Sequence, residues 1–370
     1  ETTQEMADDH IRMGCAEVKY MKVPNANEEA ASNDRLLVVG GGIAGMTAAL
    51  EAARAGYPVS IVEKSGQLGG SAAFEYKRVP ERAPYADPEN TGVAEMISEI
   101  EANDRITVHL NATTTKTSGA PGRFSADIST ESGSTTTENF GAIIMASGAR
   151  NYDASQLPEL GYGKSPDVVD QAGLEKLAVE ANGGPIKRPS DGKEVQSVVF
   201  VQCAGQRSTE EGHLPYCSGH CCLTSIKQAM YFKEQNEGCD TTILFNDLRT
   251  PGAPGEDFYR AGQEKMITFS KGEVSEVVPG DSLQVKFKDL ILNDEVSMQC
   301  DLVVLDVGMM PNSGPDPYAV PLDVEEGEEV EVVPEVSVDS ILNLDYRQGT
   351  DLPQLKYGFT DSHFICFPYE

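Results

Sequence analysis

RLLVVGGGIAGMTAALEAARAGYPVSIVEKSGQLGGSA, residues 35–72, is the stretch that decides the fold. Leu36 to Val39 form an apolar run with strand character, Gly40-x-Gly42-x-x-Gly45 follows at once, and Met46 to Ala55 read as an alanine-rich helix ended by Gly56. Val59 to Val62 supply a second strand, with Glu63 directly after it. Gly40 allows a tight turn, Gly42 lets the backbone approach a pyrophosphate, and Gly45 lets the helix pack closely on the strand. The helix N-terminus offers free amides to phosphates. Glu63, about twenty residues beyond the glycines, can accept hydrogen bonds from ribose hydroxyls. Strand, turn, helix, strand and acid in this order predict an adenine dinucleotide site in a Rossmann-type domain. The glycines alone do not say which dinucleotide.

Outward from this stretch, the next signal is VQCAGQRSTEEGHLPYCSGHCC, residues 201–222, which crowds Cys203, Cys217, Cys221 and Cys222 into one segment. The spacing lacks the Cys-x2-Cys knuckle that usually closes a structural zinc site, and adjacent cysteines rarely pair because the geometry is strained. Iron–sulfur clusters are held by thiolate groups of this kind. Downstream, Leu223, Ile226, Met230 and Lys233 recur at helical intervals up to Gly238, so Cys221 and Cys222 sit where a helix begins. Two thiolates from a regular helix point about 100° apart. An irregular helix start relaxes that limit, and its positive dipole end favours an anionic cluster.

Ser65-Gly-Gln-Leu-Gly-Gly70 resembles the continuation found in FAD-binding proteins of the two-dinucleotide-binding-domain superfamily, which favours FAD over NAD. Gly141-Ala-Ile-Ile-Met-Ala-Ser-Gly-Ala149 is similar to the strand and small-residue turn by which that superfamily returns to its flavin domain. A second such run lies at residues 300–308, where an inserted domain would end. With the cysteine pattern, the chain resembles the HdrA family of heterodisulfide reductase flavoproteins, whose relatives include flavin subunits of the quinone-interacting membrane-bound oxidoreductase complex. Residues 186–208, 216–222 and 361–370 look closest to the second, larger flavin subunit of that complex.

The resemblance spans roughly residues 34–370 and implies an α/β flavoprotein of the pyridine nucleotide-disulfide reductase type with a small antiparallel insertion. It implies FAD contacts from Gly40, Gly42, Ile43, Ala44, Gly45, Glu63, Lys64, Gly69, Gly70, Ser147 and Gly148. It also implies a 4Fe–4S cluster on Cys203, Cys217, Cys221 and Cys222. The expected role is an electron-transfer subunit, an oxidoreductase component partnered by other redox subunits, among them a membrane-bound quinone-reactive or a ferredoxin-like one. The alternatives are an NAD(P)H-dependent flavin dithiol reductase and a non-catalytic scaffold stabilised by FAD. The family's further ferredoxin-like motifs and its closing Thr-Gly and Ala-Gly strand do not occur here, and the chain opens on Glu1 and stops at Glu370. A fragment that holds FAD more weakly than a longer protein is therefore expected.

Four segments are expected: residues 1–33, an amphipathic helix through Met6, Ile11, Cys15, Val18 and Met21 with a polar linker; 34–157, the flavin domain; 158–312, a second nucleotide-type domain carrying the cluster; and 313–370, a return to the flavin domain. A single glycine at Gly205 stands where a nicotinamide-binding domain would need three. Tyr76 to Asn90, with three prolines, is expected to lie over the isoalloxazine ring. From Thr107 a run of short strands reads as the antiparallel insertion. Against 29 basic residues stand 59 acidic ones, a net charge of −30, which argues against nucleic acid as a partner. The densest acidic run, Asp323 to Glu335, reads as a solvated loop or edge, as a docking patch for a basic partner, or as the surface of a protein from a salty cytoplasm. No secretory signal and no apolar run of membrane-spanning length occur. The expectation is a cytoplasmic protein, with any membrane association made through partner subunits. His213 and His220 flank the cysteines, and Cys15, Cys239, Cys300 and Cys366 are expected to pack as small apolar side chains.

Overall fold

A computed structural model describes residues 3–20, 32–210, 212–252 and 254–312 of the chain. The expected return segment, the acidic run, His363 and Cys366 lie outside the described residues. The described residues build two main sheets in sequence, each parallel at its centre, with a three-stranded antiparallel sheet packed on the first and a two-stranded clasp joining the two.

The first sheet has the order β3-β2-β1-β7, all parallel, from β1 (Leu36–Val39), β2 (Val59–Val62), β3 (Ile106–His109) and β7 (Ala142–Met145). Helices α2 (Ile43–Arg54) and α3 (Val93–Glu101) cover one face, where Met46, Ala49, Leu50 and Ile100 pack on Val38, Val59 and Ile61. A three-stranded antiparallel sheet, β4 (Ala112–Ala120), β5 (Arg123–Thr130) and β6 (Thr135–Phe140), packs on the other face through Phe140, Ala126 and Ile128. The insertion therefore begins after His109. Thr107 to His109, which alternation assigned to it, belong to the parallel sheet, because a half-buried edge strand shows the same period of two.

The second sheet has seven strands in the order β14-β13-β12-β11-β10-β15-β9. Its parallel part is β9 (Val168–Asp170), β15 (Leu302–Val307), β10 (Ser197–Ala204), β11 (Asp240–Phe245) and β12 (Thr268–Val278). β13 (Leu283–Asp289) and β14 (Glu295–Cys300) extend it antiparallel. Alternate residues of the central strands face opposite layers, so both layers are apolar. Val198, Phe200, Leu302 and Val304 meet α4 (Gln171–Ala181), α5 (Cys221–Gln235) and α6 (Gly255–Glu264). Val199, Val201, Val303 and Leu305 meet Val285, Phe287 and Tyr152. β8 (Ala149–Asn151) and β16 (Met309–Pro311) pair antiparallel and clasp the end of the first sheet to the end of the second.

α1 (Thr3–Tyr20) forms as its periodicity predicts, yet none of its residues is buried. Cys15 is accordingly exposed rather than packed, whereas Cys239 and Cys300 lie in the core. The proline-rich loop after Tyr76 also departs from expectation. It packs Tyr76, Val79 and Ala86 against the α5 layer instead of lining the glycine cavity, because those side chains are its apolar ones.

Candidate functional site

The glycine turn opens on a cavity of about 770 Å³. Of the residues expected to contact a dinucleotide, Gly40, Gly42, Ile43, Ala44, Glu63, Lys64, Gly70, Ser147 and Gly148 line it. Gly45 and Gly69 do not, and each is needed one step back. A Cβ on Gly45 would lie 1.9 Å from the Gly40 carbonyl oxygen, so only glycine lets α2 rest on the turn. The Gly69 amide donates to the Gly41 oxygen at 2.8 Å and pins the second glycine loop beside the first. Gly42 is different. A Cβ there would meet only the Gly70 Cα, at 3.7 Å, so the protein itself has room for a side chain that would project into the cavity. That open cradle, at the start of α2, fits a group of pyrophosphate size and charge.

Glu63, 7% exposed, has its carboxylate held from both sides. Oε2 accepts from the Gly41 amide at 2.6 Å, and Oε1 from the Ser65 amide at 2.8 Å and hydroxyl at 2.7 Å. Burial would raise its pKa, but these bonds, from Ser65 and Gly41, outweigh it and hold the carboxyl below its ordinary range. An ionised Glu63 has one lone-pair direction left for a ribose hydroxyl. Asn312, which the sequence did not signal, ties the opposite wall: its Nδ2 donates to the Ser147 oxygen at 2.8 Å.

The four cysteines gather at the carboxyl end of β10, where ligands of open α/β sheets bind. Cys203 sits inside β10 at a bulge and has φ +60, a left-handed conformation that costs a non-glycine residue about 1 kcal/mol or more. Cys221 and Cys222 open α5, as expected. Their sulfurs diverge: Cys221 Sγ donates to the Val307 oxygen at 3.3 Å, and Cys222 Sγ to Gln202 Oε1 at 3.3 Å. Among the described residues no three His, Cys, Asp or Glu side chains converge as a single metal ion would require. The sulfurs are nonetheless electrostatic neighbours, Cys203 of Cys217 and Cys221, and Cys222 of Cys203 and Cys217.

Each sulfur faces one N–H donor. The Arg207 guanidinium, held by Asp247 at 2.7 Å, faces Cys203. Cys217 accepts from the Gly219 amide at 3.4 Å, Cys221 from Gln206 Nε2 at 2.9 Å, and Cys222 from the Arg249 amide at 3.3 Å. This is a donor set suited to thiolates that share negative charge with a bound group. Burial pushes the Cys221 thiol up to about 12 and the Cys222 thiol up to about 11, so the thiols keep their protons. A bound cation would have to displace them.

A small chamber of about 130 Å³ adjoins the glycine cavity and reaches the first turn of α5, and none of the four cysteines lines it. Ser71 and Phe74 line both it and the glycine cavity, and its far wall is His220 and Thr224 in the first turn of α5. Lys227 of α5, its side chain 3% exposed, pairs there with Glu75 and Glu175, each at 3.0 Å. Periodicity marked α5 as a helix through Leu223, Ile226, Met230 and Lys233. The structure buries it on all sides from Cys221 to Phe232, so Lys227 and Gln228 are inside. Two polar residues inside the motif QCAGQ, and the acid in the apolar run LVVLDV, were legible signals for Gln202, Gln206 and Asp306. Of the flanking histidines, His213 bonds the Tyr152 hydroxyl at 2.7 Å, while the His220 ring sits on Thr224 Oγ1 at 3.0 Å.

A family model described as pyridine nucleotide-disulphide oxidoreductase matches residues 34–200. The chain is 29% identical over 385 residues to the HdrA component of the ferredoxin/F420H2-dependent CoB-CoM heterodisulfide reductase of Methanosarcina acetivorans, covering 82% of this chain and 48% of that protein. It is 36% identical over 177 residues to the iron-sulfur HdrA component of the CoB–CoM heterodisulfide reductase of Methanocaldococcus jannaschii, covering 46% of this chain and 27% of that one. Among solved structures, Lactococcus lactis thioredoxin reductase aligns with TM-score 0.48 and 18% identity, over 75% of this chain and 78% of that one. The chain spans about half the length of the first of these relatives. No helix among the described residues is long and apolar enough to cross a membrane.

Proposed function

The chain is homologous to the HdrA component of heterodisulfide reductases over most of its length, and from that premise we propose that it is the FAD and 4Fe–4S electron-transfer component of a multi-subunit oxidoreductase. One observation carries the reading: an open glycine cradle and four N–H-supported cysteines occur in one fold, and the chamber that shares Ser71 and Phe74 with the cradle reaches the helix start that carries Cys221 and Cys222. When bound, the flavin supplies a two-electron station and the cluster a one-electron relay. The chain's own part is to hold them. Gly42 and the α2 amides receive the pyrophosphate, Glu63 the ribose, and the Ser147–Gly148 turn closes the inner end. Cys203, Cys217, Cys221 and Cys222 hold the cluster, and the amides and guanidinium that face them balance its charge. Phe74, Thr224 and Lys227 line the chamber beside the cradle. The partners are other redox subunits, one of them quinone-reactive at a membrane or ferredoxin-like, and the chain itself works in the cytoplasm.

The test is anaerobic reconstitution with iron, sulfide and FAD. About four iron and four sulfide per chain are expected, with a flavin spectrum that bleaches on reduction over a broad cluster shoulder. Cys222→Ser replaces a thiolate with a harder, far less acidic oxygen and should lose or alter the cluster, while Cys239→Ser, in the core away from the site, should not. Iron content and paramagnetic signals that survive Cys222→Ser but vanish with Cys239→Ser would overturn the ligand assignment. A flavin that binds but never bleaches would leave only a scaffold.

A further inference from the structure

Asp306 is the one acid in the apolar strand β15 and is fully buried, with 0% exposure. Its Oδ1 has no hydrogen-bond partner, and its Oδ2 meets the Ser225 hydroxyl. Ser225 Oγ is crowded: Gln202 Nε2 donates to it, and it lies 2.7 Å from the Cys221 carbonyl oxygen. A hydroxyl carries one proton and two lone pairs. If Asp306 is ionised, the Ser225 proton must choose between the carboxylate and the Cys221 oxygen, and a charged Oδ1 is left bare in the core. If Asp306 is protonated, every contact is made at once. Asp306 then donates to Ser225 Oγ, Gln202 donates to its second lone pair, and the Ser225 proton closes on Cys221.

We propose that Asp306 is a positioning residue of the cysteine site, held as a neutral carboxylic acid that donates to Ser225 and so locks the first turn of α5, with Cys221 and Cys222 on it. Ser225 stands between the carboxyl and the cysteines. The other groups that face it are the Gln171 side chain from α4, whose hydrogen bonding favours the ionised form but is outweighed by burial, the Gln206 amide, which bonds the Asp306 backbone oxygen at 3.3 Å and Cys221 Sγ at 2.9 Å, and the thiols of Cys203, Cys221 and Cys222. No cation faces it from these elements. A neutral acid also spares the thiolates a like charge at their back. The burial that pushes its pKa well above the ordinary range acts in the same direction.

The inference rests on the cysteine-site reading for its purpose, so its test uses the metal-free chain, where failure of the cluster cannot be mistaken for failure of Asp306. Two variants separate donor from charge. In Asp306→Asn the amide donates as the acid would. In Asp306→Ala nothing does. Wild type should show the infrared carbonyl band of a protonated carboxylic acid at about pH 8, absent from Asp306→Asn. Alkylation of Cys221 and Cys222, mapped by mass spectrometry, should be unchanged in Asp306→Asn and about tenfold faster in Asp306→Ala, as local opening of the turn exposes them. If the band is missing from wild type, or if Asp306→Asn frees the two thiols as Asp306→Ala does, the proposal fails.

Discussion

At position 42 the missing side chain is required by nothing in the protein, which separates a binding glycine from a packing one. A Cβ on Gly45 collides with backbone, whereas one on Gly42 points into the cavity. Gly42→Val is therefore expected to fold with little change in Tm and to lose stoichiometric FAD; retention of FAD would place the site elsewhere. Gly45→Ala should instead lower Tm, because α2 must move off the turn. Asp306 makes a prediction of opposite sign to the usual carboxylate. Its native pKa is raised, so the folded state holds a proton that the unfolded chain releases. Stability from this group falls as pH rises above the ordinary carboxyl value and levels off only above the native one, by about 1.4 kcal/mol per unit crossed. Urea unfolding of Asp306→Asn against wild type should show the variant gaining relative stability from about pH 4 upward.

Among the elements, α5 does the most. It starts at the cysteines, runs buried for most of its length, and carries Lys227 into the chamber, where it bonds Glu75 of the first domain and Glu175 of α4. Removing one partner of a buried pair leaves the other charge uncompensated. Lys227→Met should thus cost about 3 kcal/mol in denaturant unfolding. Adding Glu175→Gln should recover part of that loss, and full additivity of the two changes would show that the pair does not couple. α1 is the counterexample. With no residue buried, deletion of residues 1–20 should leave both the melting temperature and FAD content unchanged.

For the whole molecule, the arrangement of the two sheets bears on the proposed electron route. Asn151 and Met309 of the β8–β16 clasp line a chamber that runs from the glycine cavity to the first turn of α5. On the proposed reading, electrons that leave a reduced flavin one at a time need the cysteine site. In the reconstituted protein Cys222→Ser should keep FAD, accept a reducing pair, and pass electrons to an external one-electron acceptor far more slowly than wild type or Cys239→Ser. Equal rates in all three, followed by stopped-flow absorbance, would mean that the flavin meets its acceptor directly.

What the sequence by itself determined was local and ordered along the chain. The first strand, turn and helix, Glu63, and the cysteines at the start of α5 were all legible, because a glycine motif and a helix start are fixed by residues a few positions apart. What only the tertiary structure decided was everything that depends on distant partners. Thr107 to His109 look like any alternating strand until β2 supplies their parallel neighbour. The apolar stripe of α1 predicts a helix but not that it stands uncovered. Lys227, Asp306 and Asn312 carry no periodic signal, and each becomes significant only when an element more than fifty residues away closes over it, since burial and the pairing of charges are properties of the packed chain and not of its local spelling.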